Sequence, residues 1–184
     1  MIRTVWAPAA LSLVLLSGCS TTQQPQVKQL HQEVSQLNQQ MQQLTSQAGA
    51  VEIQGQLNAH SQQGAWLLPQ ANTPVELQTQ AGTLRLSLSK VEAEAGGSRA
   101  NLTLQTRDNQ ALPALEATVV WGQLDPATGK PLEADSLTQT IAVPTALTPR
   151  SSVTVPLRLS GITPEQLGYV RVHQVLAKTA APRS

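Results

Sequence analysis

The sequence predicts a mainly β protein, in which a signal peptide and a single heptad-patterned helix precede an antiparallel, immunoglobulin-like β-sandwich. Three observations predict it. An apolar run near the amino terminus is followed closely by the only cysteine, and apolar residues recur every three or four positions from residue 27 to residue 51. Beyond residue 64 they alternate with polar residues. The second pattern is typical of a helix and the third of half-buried strands.

The first 18 residues have the features of a secretory signal. Arg3 supplies a cation, and the apolar run 5–16 follows it,. As a helix this run would rise about 18 Å, which is well short of the roughly 30 Å hydrocarbon core of a bilayer. We therefore predict that residues 1–18 form a signal peptide that is removed.

The cleavage site is the most specific motif of the chain. Leu16, Ser17, Gly18 and Cys19 form a sequence that resembles the lipobox of bacterial lipoproteins. The resemblance implies that Cys19 is acylated and that residues 19–26 form a lipidated tether. Two or three acyl chains anchor a protein stably, because each buried methylene contributes roughly 0.8 kcal/mol. Ser20 stands where an Asp commonly retains such lipoproteins in the inner membrane, so the resemblance implies the outer membrane, facing the periplasm.

Residues 27–51 carry a narrow heptad seam, which predicts a coiled-coil-like helical stalk. Its apolar positions alternate spacings of three and four and are Val27, Leu30, Val34, Leu37, Met41, Leu44, Ala48 and Val51. Packing of this seam on the protein's own domain is the alternative interpretation. Residues 52–64 lose the heptad and are rich in Gln, Asn, Ser and Gly, so we predict a flexible hinge there.

Strands follow over residues 65–178, the predicted sandwich domain. Alternation at 83–89 and 102–104, with Gly96 and Gly97 between, predicts a hairpin,. Further strands are predicted at 115–124, 137–143, 153–159 and 169–176, and Pro156 suits an edge strand,. Thr163, followed by Pro and Glu, predicts the start of a short helix. Residues 179–184 are a predicted tail.

Several blocks of the chain resemble the YajI-like lipoproteins of enteric bacteria, a family of unknown function. They are the lipobox, the Gln-rich heptads, 64–69 (GAWLLP), 73–74 (TP), 82–88 (GTLRLSL) and 166–173 (QLGYVRVH). The resemblance covers nearly the whole chain. It implies an outer-membrane lipoprotein with a β-rich periplasmic domain, and it supplies no catalytic residues.

The composition disfavours two classes of function. Loss of Arg3 with the signal leaves 11 cationic side chains against 11 anionic ones, without a basic cluster, so nucleic acid is not an expected partner,. The sequence contains no nucleophile elbow, no HExxH motif and no Gly-rich phosphate loop, and its three histidines are dispersed,. We therefore expect no enzyme activity, no metal site and no cofactor.

Two segments are candidate interaction surfaces. Alternation places Tyr169, Arg171 and His173 on one face of the last strand, where they form either an ordinary solvated face or a recognition surface. Residues 66–69 (WLLP) are either a first core strand or an exposed binding segment.

The function predicted from these features is a non-enzymatic outer-membrane lipoprotein that presents a β-sandwich for protein binding or an envelope-structural role. Its expected partners are membrane lipid, through acylated Cys19, and an envelope protein that the sequence does not identify. The seam also predicts a weak parallel homodimer, because a shared anchor makes neighbouring copies leave the membrane in the same direction. The alternative is a small-ligand binder or an enzyme whose site is assembled from scattered residues.

Overall fold

The computed structural model describes residues 24–61, 64–107, 111–143 and 145–178. Contacts divide the chain into two compact units, residues 1–41 and 42–184. The predicted signal peptide, the lipobox, Cys19 and the tail 179–184 lie outside the described residues. Within the described part of the chain, no helix combines the length and apolarity needed to cross a bilayer.

The helix α1 (Gln24–Ala59) contains every residue of the heptad seam. Gln, Leu and Met are good helix formers, and the helix continues through Gly49 and Gly55,. The helix continues eight residues past the predicted end of the stalk. The prediction of a flexible hinge at 52–64 is therefore wrong for 52–59, because side chains of this stretch bond to the first strand.

Eight strands follow in the described part of the chain. They are β1 (Ala65–Leu67), β2 (Val75–Thr79), β3 (Gly82–Glu94), β4 (Gly97–Thr106), β5 (Leu115–Gly122), β6 (Leu137–Val143), β7 (Ser152–Ser160) and β8 (Tyr169–Ala177). They form two antiparallel four-stranded sheets, in the orders β1-β8-β5-β6 and β2-β3-β4-β7. The fold is therefore mainly β, with one amino-terminal helix, as the alternation predicted.

The two sheets share one hydrophobic core. The apolar positions of β3 and β4 are buried at every second residue, and those of β5 and β8 face them from the other sheet. The β3–β4 hairpin is confirmed, and so is the edge position of β7, whose Pro156 pairs with Asn101 on the one strand that neighbours it. Gly97 lets β7 approach closely, because a Cβ there would lie 2.3 Å from the carbonyl oxygen of Leu159.

One finer prediction is not confirmed, and another is wrong. Three consecutive strands, β2, β3 and β4, share a sheet here, whereas a constant-type immunoglobulin domain pairs strands A, B, E and D in one sheet and C, F and G in the other,. The immunoglobulin-like part of the prediction is therefore not confirmed. The segment from Thr163 forms a turn instead of a helix: the carbonyl oxygen of Thr163 accepts from the backbone N–H of Gln166 and Leu167, and the chain then enters β8.

Candidate functional site

The carboxyl-terminal part of α1 binds β1 through two amide side chains. Asn58 accepts from the backbone N–H of Trp66 at 2.9 Å and donates to its carbonyl oxygen at 2.8 Å. Gln54 accepts from the backbone N–H of Leu68 at 2.7 Å and donates to the hydroxyl of Thr73 at 2.9 Å. An edge strand presents unpaired backbone groups, and these amides supply both the donors and the acceptors that it lacks.

A second, smaller core lies behind these hydrogen bonds. It consists of five residues that are buried together: Ala50 of α1, Trp66 of β1, Leu68, Ala71 and Tyr169 of β8. Ile53 and Leu57 of α1 pack against them. The rings of Trp66 and Tyr169 have centroids 5.0 Å apart and are tilted by 57°. This core covers the outer face of the β1-β8-β5 part of the sheet.

The docked face of the helix is not the heptad seam. Within residues 42–59, Leu44, Ala48 and Val51 are exposed, while Ala50 and Gln54 are buried. Consecutive helical residues are separated by about 100° around the axis, so the two sets occupy different faces. Val27, Leu30, Val34, Leu37 and Met41 are exposed as well. Within residues 42–59, the seam is therefore not packed on the β domain.

The predicted stripe Tyr169, Arg171 and His173 is not an open face. Val170 and Val172 point into the main core, as the alternation predicted, but the opposite side carries the smaller core. Tyr169 is completely buried, and Arg171 and His173 are half-buried. The prediction of Tyr169 as part of an exposed surface is wrong, because Trp66 and side chains of α1 cover it.

Burial shifts the pKa values of two side chains on the outer face of β8, Tyr169 and His173. It raises the pKa of the Tyr169 phenol above its ordinary value, and the phenol oxygen makes no hydrogen bond within the described residues, although the Ser136 hydroxyl and the Glu133 carboxylate lie near it. Burial also lowers the pKa of His173, and the Arg171 guanidinium lowers it further. His173 is therefore biased towards its neutral form.

A cleft of about 550 Å³ opens beside the covered stripe. Ile53 and Leu57 of α1 form one wall together with His60, which follows the helix. Trp66 and Arg171 form the floor, and the segment 128–131 with Glu133 forms the other wall. The volume lies within the range of small-molecule sites, about 300–1,000 Å³. It is the described feature that best matches the alternative, ligand-binding prediction.

Residues 19–181 match the family described as "Protein of unknown function (DUF3251)". The chain belongs to this family. It is 40% identical over 164 residues to the "Uncharacterized lipoprotein YajI" of Escherichia coli (strain K12), covering 89% of this chain and 90% of that protein. The resemblance drawn from the sequence blocks is confirmed.

Two solved structures are similar. The NMR structure of E. coli YajI has a TM-score of 0.64 and 29% identity, and the match covers 98% of this chain and 94% of that one. The Salmonella enterica trimeric lipoprotein SadB has a TM-score of 0.53 and 19% identity, with 86% and 83% covered. At that identity, the likeness to SadB concerns the fold alone.

Other candidate residues are dispersed. His31 and His60 each bond a backbone carbonyl one turn back along α1, and His173 lies on β8. Among the described ranges, no three His, Cys, Asp or Glu side chains gather as a metal site would require,. The first two residues of the WLLP segment, 66 and 67, belong to β1, and its tryptophan also lines the cleft.

The sequence reasoning missed Gln54, Asn58 and Lys130. The two amides stand four residues apart, a spacing that places them on one helix face,. That spacing was a usable signal, but it stands in a Gln-rich segment that resembles a linker. Lys130 gave no signal, because it reaches the cleft that Arg171 also lines only through the packing of the 125–130 turn.

Proposed function

We propose that the chain is a non-enzymatic lipoprotein, anchored to the outer membrane through acylated Cys19, which presents its β-rich domain into the periplasm for protein binding or an envelope-structural role. Three observations support the anchor. The lipobox 16–19 ends at Cys19, the family match begins at Cys19, and the E. coli relative is called a lipoprotein. An acylated amino terminus places the seam of α1 next to the membrane.

The exposed seam carries the proposal further, to self-association. Leu44 is 64% exposed and Leu30 is 60% exposed, although each side chain is apolar and both belong to a regular heptad. An aliphatic side chain gains roughly 1.5–3 kcal/mol when it is fully buried, so a second seam is a favourable occupant. We propose that the seam packs against the seam of a second copy of this chain. The two seams have the same spacing of apolar residues, and anchoring in the same membrane makes the two helices parallel.

The number of copies follows from the seam residues. Val at two a positions with Leu at three d positions favours two strands, while Met41 and Ala48 weaken that preference,. The e and g positions are mostly uncharged, so few interhelical ion pairs add stability. We therefore propose a weak parallel dimer that confinement on the membrane assists. SadB is described as trimeric, and three strands are the alternative that a mass measurement must separate.

A small-ligand binder is the second candidate function. The observation that favours it is the cleft of about 550 Å³, whose lining joins apolar side chains to Lys130 and Arg171. The two candidates are compatible, because the seam residues do not line the cleft.

Sedimentation of residues 20–184 tests the self-association. We expect the mass to rise towards that of a dimer with concentration. Leu37→Asp should return the chain to monomer, whereas Gln39→Asp, two residues away on the back of the helix, should not. A monomer at every concentration, or equal effects of the two changes, contradicts the proposed role of the seam.

Fatty-acid labelling of the full chain in a bacterial host tests the anchor. The unchanged chain should incorporate palmitate, and Cys19→Ser should abolish incorporation and leave the precursor uncut. Cys19 is the only cysteine, so no other thiol can take its place. Incorporation into Cys19→Ser would show that the lipobox assignment is wrong.

A further inference from the structure

The cleft beside β1 and β8 carries two cations and one carboxylate. Lys130 lies on one wall, Arg171 on the floor and Glu133 near them, and the other titratable lining residue is His60. The Nδ1 of His60 bonds the Gln56 carbonyl oxygen at 2.8 Å, which uses one of its two ring nitrogens. The charged groups of the lining therefore favour an anion.

Arg171 forms no ion pair with a described residue. Its guanidinium carbon lies 4.8 Å from the centre of the Trp66 ring, a cation–π contact,. Its Nε is buried and makes no hydrogen bond to any described residue. The ion pairs found among the described residues join other arginines, Arg99, Arg107 and Arg158, to glutamates. A Cβ added at Gly64 would lie 3.2 Å from the Nε of Arg171, so the inner side of the guanidinium is packed within the domain, and contact with a ligand falls to the part of Arg171 that lines the cleft.

The walls of the cleft are fixed. Asp125 accepts from the backbone N–H groups of Ala127 and Thr128 and from the Thr128 hydroxyl, which hold the turn and lower the pKa of its carboxyl. Gly129, at a φ of 66°, packs so closely on the helix that a Cβ would lie 3.0 Å from the Cδ1 of Ile53. Gln54 and Asn58 fix the helix wall to β1.

We propose that this cleft binds a small organic anion, in which a carboxylate or phosphate group is joined to an apolar body. The anionic group bonds to Arg171 and Lys130, since a guanidinium fork matches the oxygens of either group. The apolar body packs on Ile53, Leu57 and the Trp66 ring. This site goes beyond the proposed function, and neither acylation nor self-association is needed for it.

The chain carries its own reporter for the test. In residues 20–184, the tryptophans are Trp66 at the cleft and Trp121, whose indole N–H bonds the Ser160 carbonyl oxygen at 3.1 Å. The two indole N–H signals in a nitrogen-proton NMR spectrum therefore separate the cleft from the core. Titration with octanoate and with octyl phosphate should shift the Trp66 signal and leave that of Trp121 in place. The tighter of the two probes identifies the preferred anionic group.

Octyltrimethylammonium is the matched probe of opposite charge, and it should not shift the Trp66 signal at equal concentration. Equal binding of the cation would contradict the site, because apolar contact alone would then explain it. Failure of both anions to bind more tightly than about 1 mM would also contradict it.

Charge changes at the rim give the sharper test, because Lys130 and Glu133 are both exposed and neither supports the core. Lys130→Gln should weaken octanoate binding about fivefold, and Glu133→Gln should tighten it about threefold, since each change alters one charge near the anion. Lys178→Gln, at the far end of β8, is the control and should change nothing. An effect of Lys178→Gln as large as that of Lys130→Gln would overturn the proposal.

Discussion

Two faces of one helix contrast in this protein. Within residues 42–59 the seam presents Leu44 at 64% exposure, while the docked face buries Gln54 to 4%. An apolar face is thus left open, and a polar one is buried. The difference shows that the docking of α1 is determined by the hydrogen bonds that β1 requires, in addition to apolar area.

The physical reason lies in the edge position of β1. A strand of three residues cannot be left with unpaired backbone groups beneath a helix, because each buried, unsatisfied group costs about 1–3 kcal/mol,. A leucine in place of Gln54 or Asn58 would bury more apolar area but supply no donor or acceptor. The seam makes no such hydrogen bonds to β1, so its apolar side chains can pack against another helix.

The largest effect expected from this comparison is that of Gln54→Ala. It leaves the Leu68 N–H and the Thr73 acceptors without their partner, so we expect the free energy of unfolding to fall by about 3 kcal/mol. Gln43→Ala, at an exposed position of the same helix, should change it by less than about 0.5 kcal/mol. Urea unfolding of both variants measures the difference. Similar losses would mean that α1 is not held by these amides.

A graded effect is expected along β8. Val172→Ala removes two methyl groups from the main core and should cost about 2 kcal/mol. Arg171→Ala loses the contact with Trp66 and the packing of its half-buried side chain, and should cost about 1 kcal/mol,. Urea unfolding again gives both values. A loss from Arg171→Ala larger than that from Val172→Ala would mean that the outer face of β8 matters more for stability than the main core.

A smaller effect is expected from pH at His173. Its folded pKa lies below the ordinary value of 6.5, so the unfolded chain binds this proton more readily,. The contribution of His173 to the free energy of unfolding should therefore be fully present above about pH 6.5. It should be lost as the pH falls from there through the lowered pKa. His173→Gln should flatten this part of the profile. An unchanged slope in that variant would assign the dependence to another group.

The sequence was sufficient where one pattern decides one structure. Alternating leucines in β3 and β4 predicted a hairpin, and Pro156 predicted an edge strand, because side-chain direction and the missing N–H are local properties. The burial of Tyr169 could not be predicted, because it depends on a helix 110 or more positions earlier in the chain. The cleft could not be predicted for the same reason, because Lys130 and Arg171 are distant in sequence and line one cleft only in the folded chain.

The most direct test of the central claim, that the open seam is where copies of the chain meet, is disulfide cross-linking of the membrane-bound protein. The mature chain has one native cysteine, and acylation would block it, so the unchanged chain should give no dimer. Leu37→Cys on the seam should form a disulfide-linked dimer under mild oxidation, since a parallel, in-register pair brings identical seam positions together. Gln39→Cys, on the back of the helix, should not. Equal yields from the two cysteines, or none from Leu37→Cys, would contradict the account.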